Sequence, residues 1–281
     1  MLIDSHCHIH DRGTYNYALS RQQISQKFLR KHPDFPHEPA DFVPGKIIAR
    51  AHAADVQKMI CIGTSHEDSL EAHAFAEQHA DEGIYWSYGI HPDETDRFST
   101  DTFTAATAFV SEEIQKRQDA RLVAIGEVGL DYRNGEANRQ AQIKLFEQML
   151  QLAHQYDLPL IFHIRDAFDD FFSILKNFPN SRGVVHSFSD NSKNLQQSLD
   201  EGFYVGVNGL ATFAPEIPLP PLERALLETD APFLTPSPFR GTINEPARVQ
   251  DVCAYLSKKT GESEANIAEI TTHNATELFR I

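Results

Sequence analysis

The 281-residue chain carries 25 Lys and Arg against 40 Asp and Glu, a formal charge of −15 before its 14 His are counted. Hydrophobic residues at 41% and charged residues at 23%, with 14 Gly and 15 Pro, exclude collagen-like, low-complexity and disordered classes and supply a packed core. So acidic a balance also argues against a protein that coats duplex DNA, because non-specific affinity for nucleic acid comes from Lys and Arg neutralising phosphates.

The chain turns polar at Asp4, and no stretch approaches the roughly 18 apolar residues of a membrane span, so no membrane association is expected. Cys7, Cys61 and Cys253 are odd in number and lack metal-ligand spacing, which points to reduced thiols and a cytoplasmic setting. Eight short apolar, β-branched segments follow one another at Met1 to Asp4, Lys58 to Gly63, Ile84 to Ile90, Leu122 to Val128, Leu158 to Ile164, Gly183 to Phe188, Phe203 to Val207 and Ala225 to Thr229. Most are separated by stretches with helical periodicity. In Asn138 to Asp157, for example, Ile143, Phe146, Met149, Leu150 and Ala153 share one face. Eight apolar strands alternating with amphipathic helices predict an α/β protein, a closed (β/α)8 TIM barrel spanning residues 1–281 as a single domain. The open doubly wound sheet is the alternative, weakened by the lack of a glycine-rich dinucleotide fingerprint. The first connection is long, about fifty residues, and residues 13–45 read as a surface insertion with a helix around Leu19 to Arg30. His32 and His37 lie beside prolines there and read as part of a solvated turn.

The polar residues fall at strand ends. Strand one runs into His6 and His8, the third into His91, the fourth into Glu127, the fifth into His163, the sixth into His186 and the eighth into Asp230. In a barrel these C-terminal ends converge on one mouth. His6 and His8 are two apart, so an extended chain points both the same way, a spacing that suits chelation of one ion but also occurs in a plain turn. Glu127 follows Leu122-Val-Ala-Ile125 and emerges from the interior, where its charge needs either a basic partner or cations. His163 and His186 are each embedded in apolar residues; one alone would read as a core residue, but two on successive strand ends read as ligands. Asp230 precedes Ala231-Pro232 and reads either as a turn residue or as a ligand that also accepts a proton from water.

Nitrogen and oxygen donors without thiolate fit Mg, Mn or Zn, and four His with two carboxylates suffice for two divalent ions. Paired ions acidify a water and neutralise a phosphoryl transition state, so hydrolysis is the expected chemistry. No Gly-x-Ser-x-Gly elbow, P-loop or His-Glu-x-x-His competes with that reading.

Together, Asp4-Ser-His-Cys-His8, Gly89-Ile-His-Pro92, Gly126-Glu-Val-Gly-Leu-Asp-Tyr132, Phe162-His-Ile-Arg165, Val185-His-Ser-Phe188, Leu227-Glu-Thr-Asp-Ala-Pro232 and Asn244-Glu-Pro246 resemble the TatD family of metal-dependent hydrolases, in order and over nearly the whole chain. The resemblance implies an amidohydrolase-type barrel acting as a 3′ to 5′ exonuclease on single-stranded DNA or RNA. It implies one metal held by His6, His8, Glu127 and Asp230, with Glu127 bridging to a second held by His163 and His186, and Asp230 as general base. His91 and Arg165 are implied as contacts to phosphoryl oxygens, Glu228 as a partner standing behind a ligand, and Asn244 either as a substrate contact or as a residue fixing its own turn. Nucleic-acid ends or nucleotides are thus the expected substrates, and a monomer is the expected state. The chain departs from the family pattern at Ser187 and Asp190, where a Cys and a Gly are usual. The alternative activity is hydrolysis of a small amide, lactone or ester, which the −15 charge favours. Glu127, standing where many amidohydrolases place a carboxylated Lys, favours the nuclease. A retained barrel that only binds a partner protein is a third reading, opposed by the complete ligand set.

Overall fold

The structure, a computed structural model, describes residues 1–97, 99–115, 121–133 and 138–281. Strand β1 (Leu2–Cys7) is followed by helices α1 (Arg12–Arg21), α2 (Gln26–Lys31) and α3 (Pro44–Ala53), all within the long first connection. Then strands and helices alternate as β2 (Val56–Ile62), α4 (His66–Gln78), β3 (Ile84–Tyr88), α5 (Thr100–Gln115), β4 (Leu122–Asp131), α6 (Arg139–Tyr156), β5 (Leu160–Arg165), α7 (Phe168–Leu175), β6 (Gly183–Val185), α8 (Ser192–Asp200) and β7 (Tyr204–Val207). The described connection to β8 (Ala225–Leu227) carries 3₁₀ turns, and α9 (Val249–Thr260) and α10 (Glu264–Phe279) complete the chain.

All eight strands run parallel in the order β1 to β8, as the alternating pattern predicts. Ile3, Ile60, Ile62, Val123, Ile161, Val184, Tyr204 and Leu226, buried residues from seven of the strands, pack together with Leu278 and Phe279 of α10, and Tyr85 of β3 joins them. Side chains drawn from every strand can meet only inside the barrel, so its interior is filled and α10 covers one end. The larger apolar core lies between the sheet and the helices, where Phe146 and Met149 of α6 are fully buried. No helix among the described residues is long and apolar enough to cross a membrane.

Closure is made at the mouth. Past Leu227 the chain continues alongside β1, with Cys7 bridged to Ala231, Asp230 N donating to His6 O at 2.9 Å and His8 N donating to Ala231 O at 2.8 Å. Lower down, the Asp4 carboxylate accepts from Thr229 N at 2.9 Å and from Thr229 Oγ1 at 2.6 Å, so a side chain supplies what a neighbouring carbonyl would in a regular ladder.

The expected helix over Leu19 to Arg30 is two helices. Gln22 adopts an extended conformation after α1, and the Ser25 side chain accepts from Phe28 N to begin α2. A serine that caps a new helix interrupts the old one, because its hydroxyl competes for the backbone. Residues 13–45 are thus largely helical. Phe28 and Phe35 pack on Phe239 of the segment after β8, and the Arg248 guanidinium lies 4.0 Å over the Phe239 ring.

Candidate metal centre

The strand ends bring His6, His8, His91, Glu127, His163, His186 and Asp230 together at one mouth. All but His6 line a cavity of about 500 Å³ there, and His6 sits just beneath, fully buried. His6 Nε2 lies 3.4 Å from Glu127 and 3.7 Å from Asp230; His8 Nε2 lies 3.5 Å from Asp230. Across the mouth, His163 Nδ1 is 2.7 Å from Glu127, while His186 Nε2 is 3.9 Å from Glu127 and 3.8 Å from Asp230. The two carboxylates stand between the imidazoles, and the rings of His6 and His186 stack 3.4 Å apart.

Close backbone approach makes room for this. Gly89, at the end of the third strand segment, abuts the Gly126-Glu127 peptide, and any Cβ there would collide with it. Gly206 on β7 likewise leaves the space that the Glu228 carboxylate fills.

The donor groups are aimed from behind. The His8 Nδ1 hydrogen bonds to Ile62 O at 3.2 Å, which leaves Nε2 facing the mouth. Glu228 lies 3.0 Å from His186 Nδ1 and accepts from Ser187 N at 2.7 Å and Asn208 Nδ2 at 3.1 Å, the supporting role expected for it. Asp131, 3.0 Å from His163 Nε2, supports that ring in the same way and was not anticipated. The signal was present: Asp131 is four residues beyond Glu127, and β4 runs on to Asp131 rather than ending at Val128.

Burial and proximity set the charges. Burial and the neighbouring His186 hold His6 below the usual imidazole range, and burial with His163 pushes His91 down to about 4. Burial alone would lower His163 and His186, but Asp131 and Glu127 lift the first to about 9 and Glu228 lifts the second to about 10. Burial would likewise raise Glu127 and Asp230, yet His163 and His6 hold the first well below the carboxylate range, and His8 holds the second below it. Both carboxylates are therefore ionised at neutral pH. Among the described residues no Lys or Arg pairs with Glu127, Asp131, Glu228 or Asp230.

His6 supplies the test of whether cations belong here. It is 0% exposed, and among the described residues neither ring nitrogen has a hydrogen-bond partner. An orphaned imidazole at the foot of a carboxylate cluster is costly unless a ligand meets it. The donor sets that could hold an ion are His6, His8 and Glu127; His91, Glu127 and His163; and His6, His186 and Glu228. His91, expected to touch substrate, is thus also placed as a donor, its ring 4.4 Å from that of His163.

Of the two readings left open for Asn244, the geometry favours the one in which it fixes its own turn. Asn244 does not reach the mouth: it is 0% exposed, and its amide donates to Thr229 O at 2.9 Å and Phe233 O at 2.6 Å, so it fixes the segment that carries Asp230. Asp190 is turned from the cleft toward the start of α8, where it accepts from Asn191 N at 2.7 Å and Asn194 Nδ2 at 2.9 Å. Arg165 lines the mouth.

Comparison with known proteins agrees with this geometry. Residues 3–280 match the family model described as TatD related DNase. The chain is 29% identical over 289 residues to the uncharacterized metal-dependent hydrolase YcfH of Escherichia coli K12, covering 100% of this chain and 96% of the relative. It is 31% identical over 250 residues to the 3′-5′ ssDNA/RNA exonuclease TatD of Citrobacter rodentium, covering 84% of this chain and 91% of that one. The crystal structure of YjjV, a TatD homologue from Escherichia coli, superposes with a TM-score of 0.79 at 28% identity and covers 100% of this chain and 98% of that one.

Proposed function

The chain belongs to the TatD-related DNase family of metal-dependent hydrolases, and from that premise we propose that it is a 3′ to 5′ exonuclease on single-stranded DNA or RNA ends. The observation that carries the reading is the mouth itself, where ionised carboxylates and the orphaned His6 converge without a Lys or Arg partner among the described residues. Two divalent ions, Mg, Mn or Zn, would be held by His6, His8, Glu127 and Asp230 on one side and by Glu127, His163 and His186 on the other. Bound there, such ions polarise a phosphoryl oxygen and lower the pKa of water.

The protein's own groups do the rest. Asp230, held in its ionised form and central among three imidazoles, accepts the proton of the attacking water as that oxygen bonds to phosphorus and the bridging P–O bond breaks, its electron pair leaving on the O3′ of the shortened strand, which takes a proton from solvent. Asn244 fixes the segment on which Asp230 sits, so the base meets the water in one orientation. Arg165, exposed at the lip, offers a planar pair of donors to the non-bridging oxygens. Asp131 and Glu228 hold the His163 and His186 rings in place.

The test is a time course on a 5′-labelled single-stranded oligonucleotide with Mg or Mn against EDTA, with Glu127→Ala alongside. The reading predicts a ladder shortening from the 3′ end that EDTA and the substitution both abolish. An intact oligonucleotide with folded, metal-loaded protein contradicts it. The carboxylates of Asp11, Asp93 and Glu94 on the same cavity favour one second reading, a small ester, amide or lactone as substrate, which that negative result would select.

A further inference from the structure

The cavity that holds the metal donors is poor in positive charge. Among its described lining residues Arg165 is the one Lys or Arg, while Asp11, Asp93 and Glu94 add carboxylates beyond those of the donor cluster. A polyanion entering such a mouth gains little from phosphate contacts away from the reacting one, since those contacts need cations. Affinity for a nucleic-acid end must then come from an uncharged part of the terminal nucleotide.

One side chain is built for that. Four large apolar side chains are exposed among the described residues, Met1, Tyr17, Leu70 and Phe233, and of these Phe233 alone lines the cavity. The residue is 39% exposed, and it is the one Phe, Tyr or Trp among the described lining residues. Its backbone is clamped on both sides: Phe233 N donates to Asp230 O at 2.8 Å, and Phe233 O accepts from Asn244 Nδ2 at 2.6 Å. Beneath it the Leu234 carbonyl packs directly on Gly209, where a Cβ has no room. Leu210 and Leu234 extend the apolar wall beside it. An aromatic side chain that stays partly exposed to the cavity, on a backbone fixed by two hydrogen bonds and three residues from Asp230, is a pre-positioned stacking platform.

Resting on the exonuclease reading, we propose that Phe233 is the specificity-determining residue of this site: its ring stacks on the base of the terminal nucleotide while Arg165 and the donor cluster take the phosphate. Stacking tolerates any base, because each has a π-face, so the residue selects for the presence of a base rather than its identity.

The test compares two 5′-labelled single-stranded oligonucleotides that differ only in the 3′-terminal residue, adenine-bearing in one and abasic in the other, with Mn-loaded protein. The expected wild-type KM is about tenfold higher for the abasic end. That ratio falls toward one in Phe233→Ala and in Phe233→Leu, which keeps apolar bulk, and survives in Phe233→Trp. Equal KM values for the two ends in the wild type overturn the proposal, as does a Phe233→Leu variant that keeps the tenfold ratio. If both Phe233→Leu and Phe233→Trp raise KM for the two ends alike, the ring only supports its loop and the proposal fails. Failure of the wild type to cut either oligonucleotide overturns the exonuclease reading itself, an outcome distinct from cleavage without discrimination.

Discussion

Asp4 and His6 stand two residues apart on β1, both 0% exposed, yet their surroundings are opposite. The Asp4 carboxylate accepts from Thr229 N, from Thr229 Oγ1 and, at 3.3 Å, from His6 N, so each of these bonds ties β1 to the segment after β8 or to itself. Burial lifts its carboxyl well above the usual range, which suits a group enclosed on all sides. The His6 ring, one step nearer the mouth, has two nitrogens without a partner among the described residues and two carboxylates just out of hydrogen-bond reach. A satisfied buried polar group holds a fold together; an unsatisfied one facing other donors is waiting for a ligand.

The contrast can be broken most severely at Glu127. Glu127→Ala should lower kcat/KM on the order of 10³-fold, because it removes the carboxylate that faces four imidazoles, and steady-state kinetics on an oligonucleotide would show it. Asp230→Asn should cost kcat about 10²- to 10³-fold with the circular dichroism spectrum unchanged. A variant that retains full turnover would remove Asp230 from the chemistry.

Stability separates the two clusters next. Mn at about 100 times its Kd should stabilise the stripped wild type by about 2.7 kcal/mol per site, a Tm rise of roughly 5 °C, and His6→Ala should abolish much of that rise. Asp4→Ala should do the reverse: it leaves the Thr229 donors unpaired and destabilises by about 1–3 kcal/mol, read by urea melts, while Mn still raises Tm. Loss of the Mn effect in Asp4→Ala would erase the distinction between the clusters.

The smallest effect lies outside both, where Arg139 grips Asp170 through two bonds of 2.6 Å and Tyr132 adds one of 2.7 Å. The Arg139 guanidinium holds the Asp170 carboxyl below its ordinary value, so this contribution is present above about pH 3.9 and is lost as pH falls through the lowered folded value. Asp170→Asn should therefore lower Tm slightly at pH 7, and the gap from wild type should close under acid. A gap that persists below pH 2 would assign the loss to packing.

The convergence at the mouth was legible in the sequence because these residues obey one rule, that polar residues at C-terminal strand ends of a barrel face the same mouth. His6, His8, Glu127, His163, His186 and Asp230 each follow an apolar run, and the structure gathers all six. What lies behind them was less legible. Glu228 was implied by the family resemblance, but Asn208 reaches it from just past β7, a contact that only folding creates. Asn244 looked equally like a contact or a brace, and the choice depended on whether its amide met solvent or two carbonyls. In the first connection, the break between α1 and α2 turns on a single hydroxyl, that of Ser25, a local signal easily lost beside the helical character on either side.

The central claim is that the unsatisfied cluster is a two-ion centre. Equilibrium dialysis of EDTA-stripped protein against Mn, followed by elemental analysis, tests it most directly, with Glu127→Ala and Asp4→Ala dialysed in parallel. The account predicts two ions per chain in the wild type and in folded Asp4→Ala, and fewer in folded Glu127→Ala. Folded wild type that retains no Mn above the dialysis buffer would contradict it.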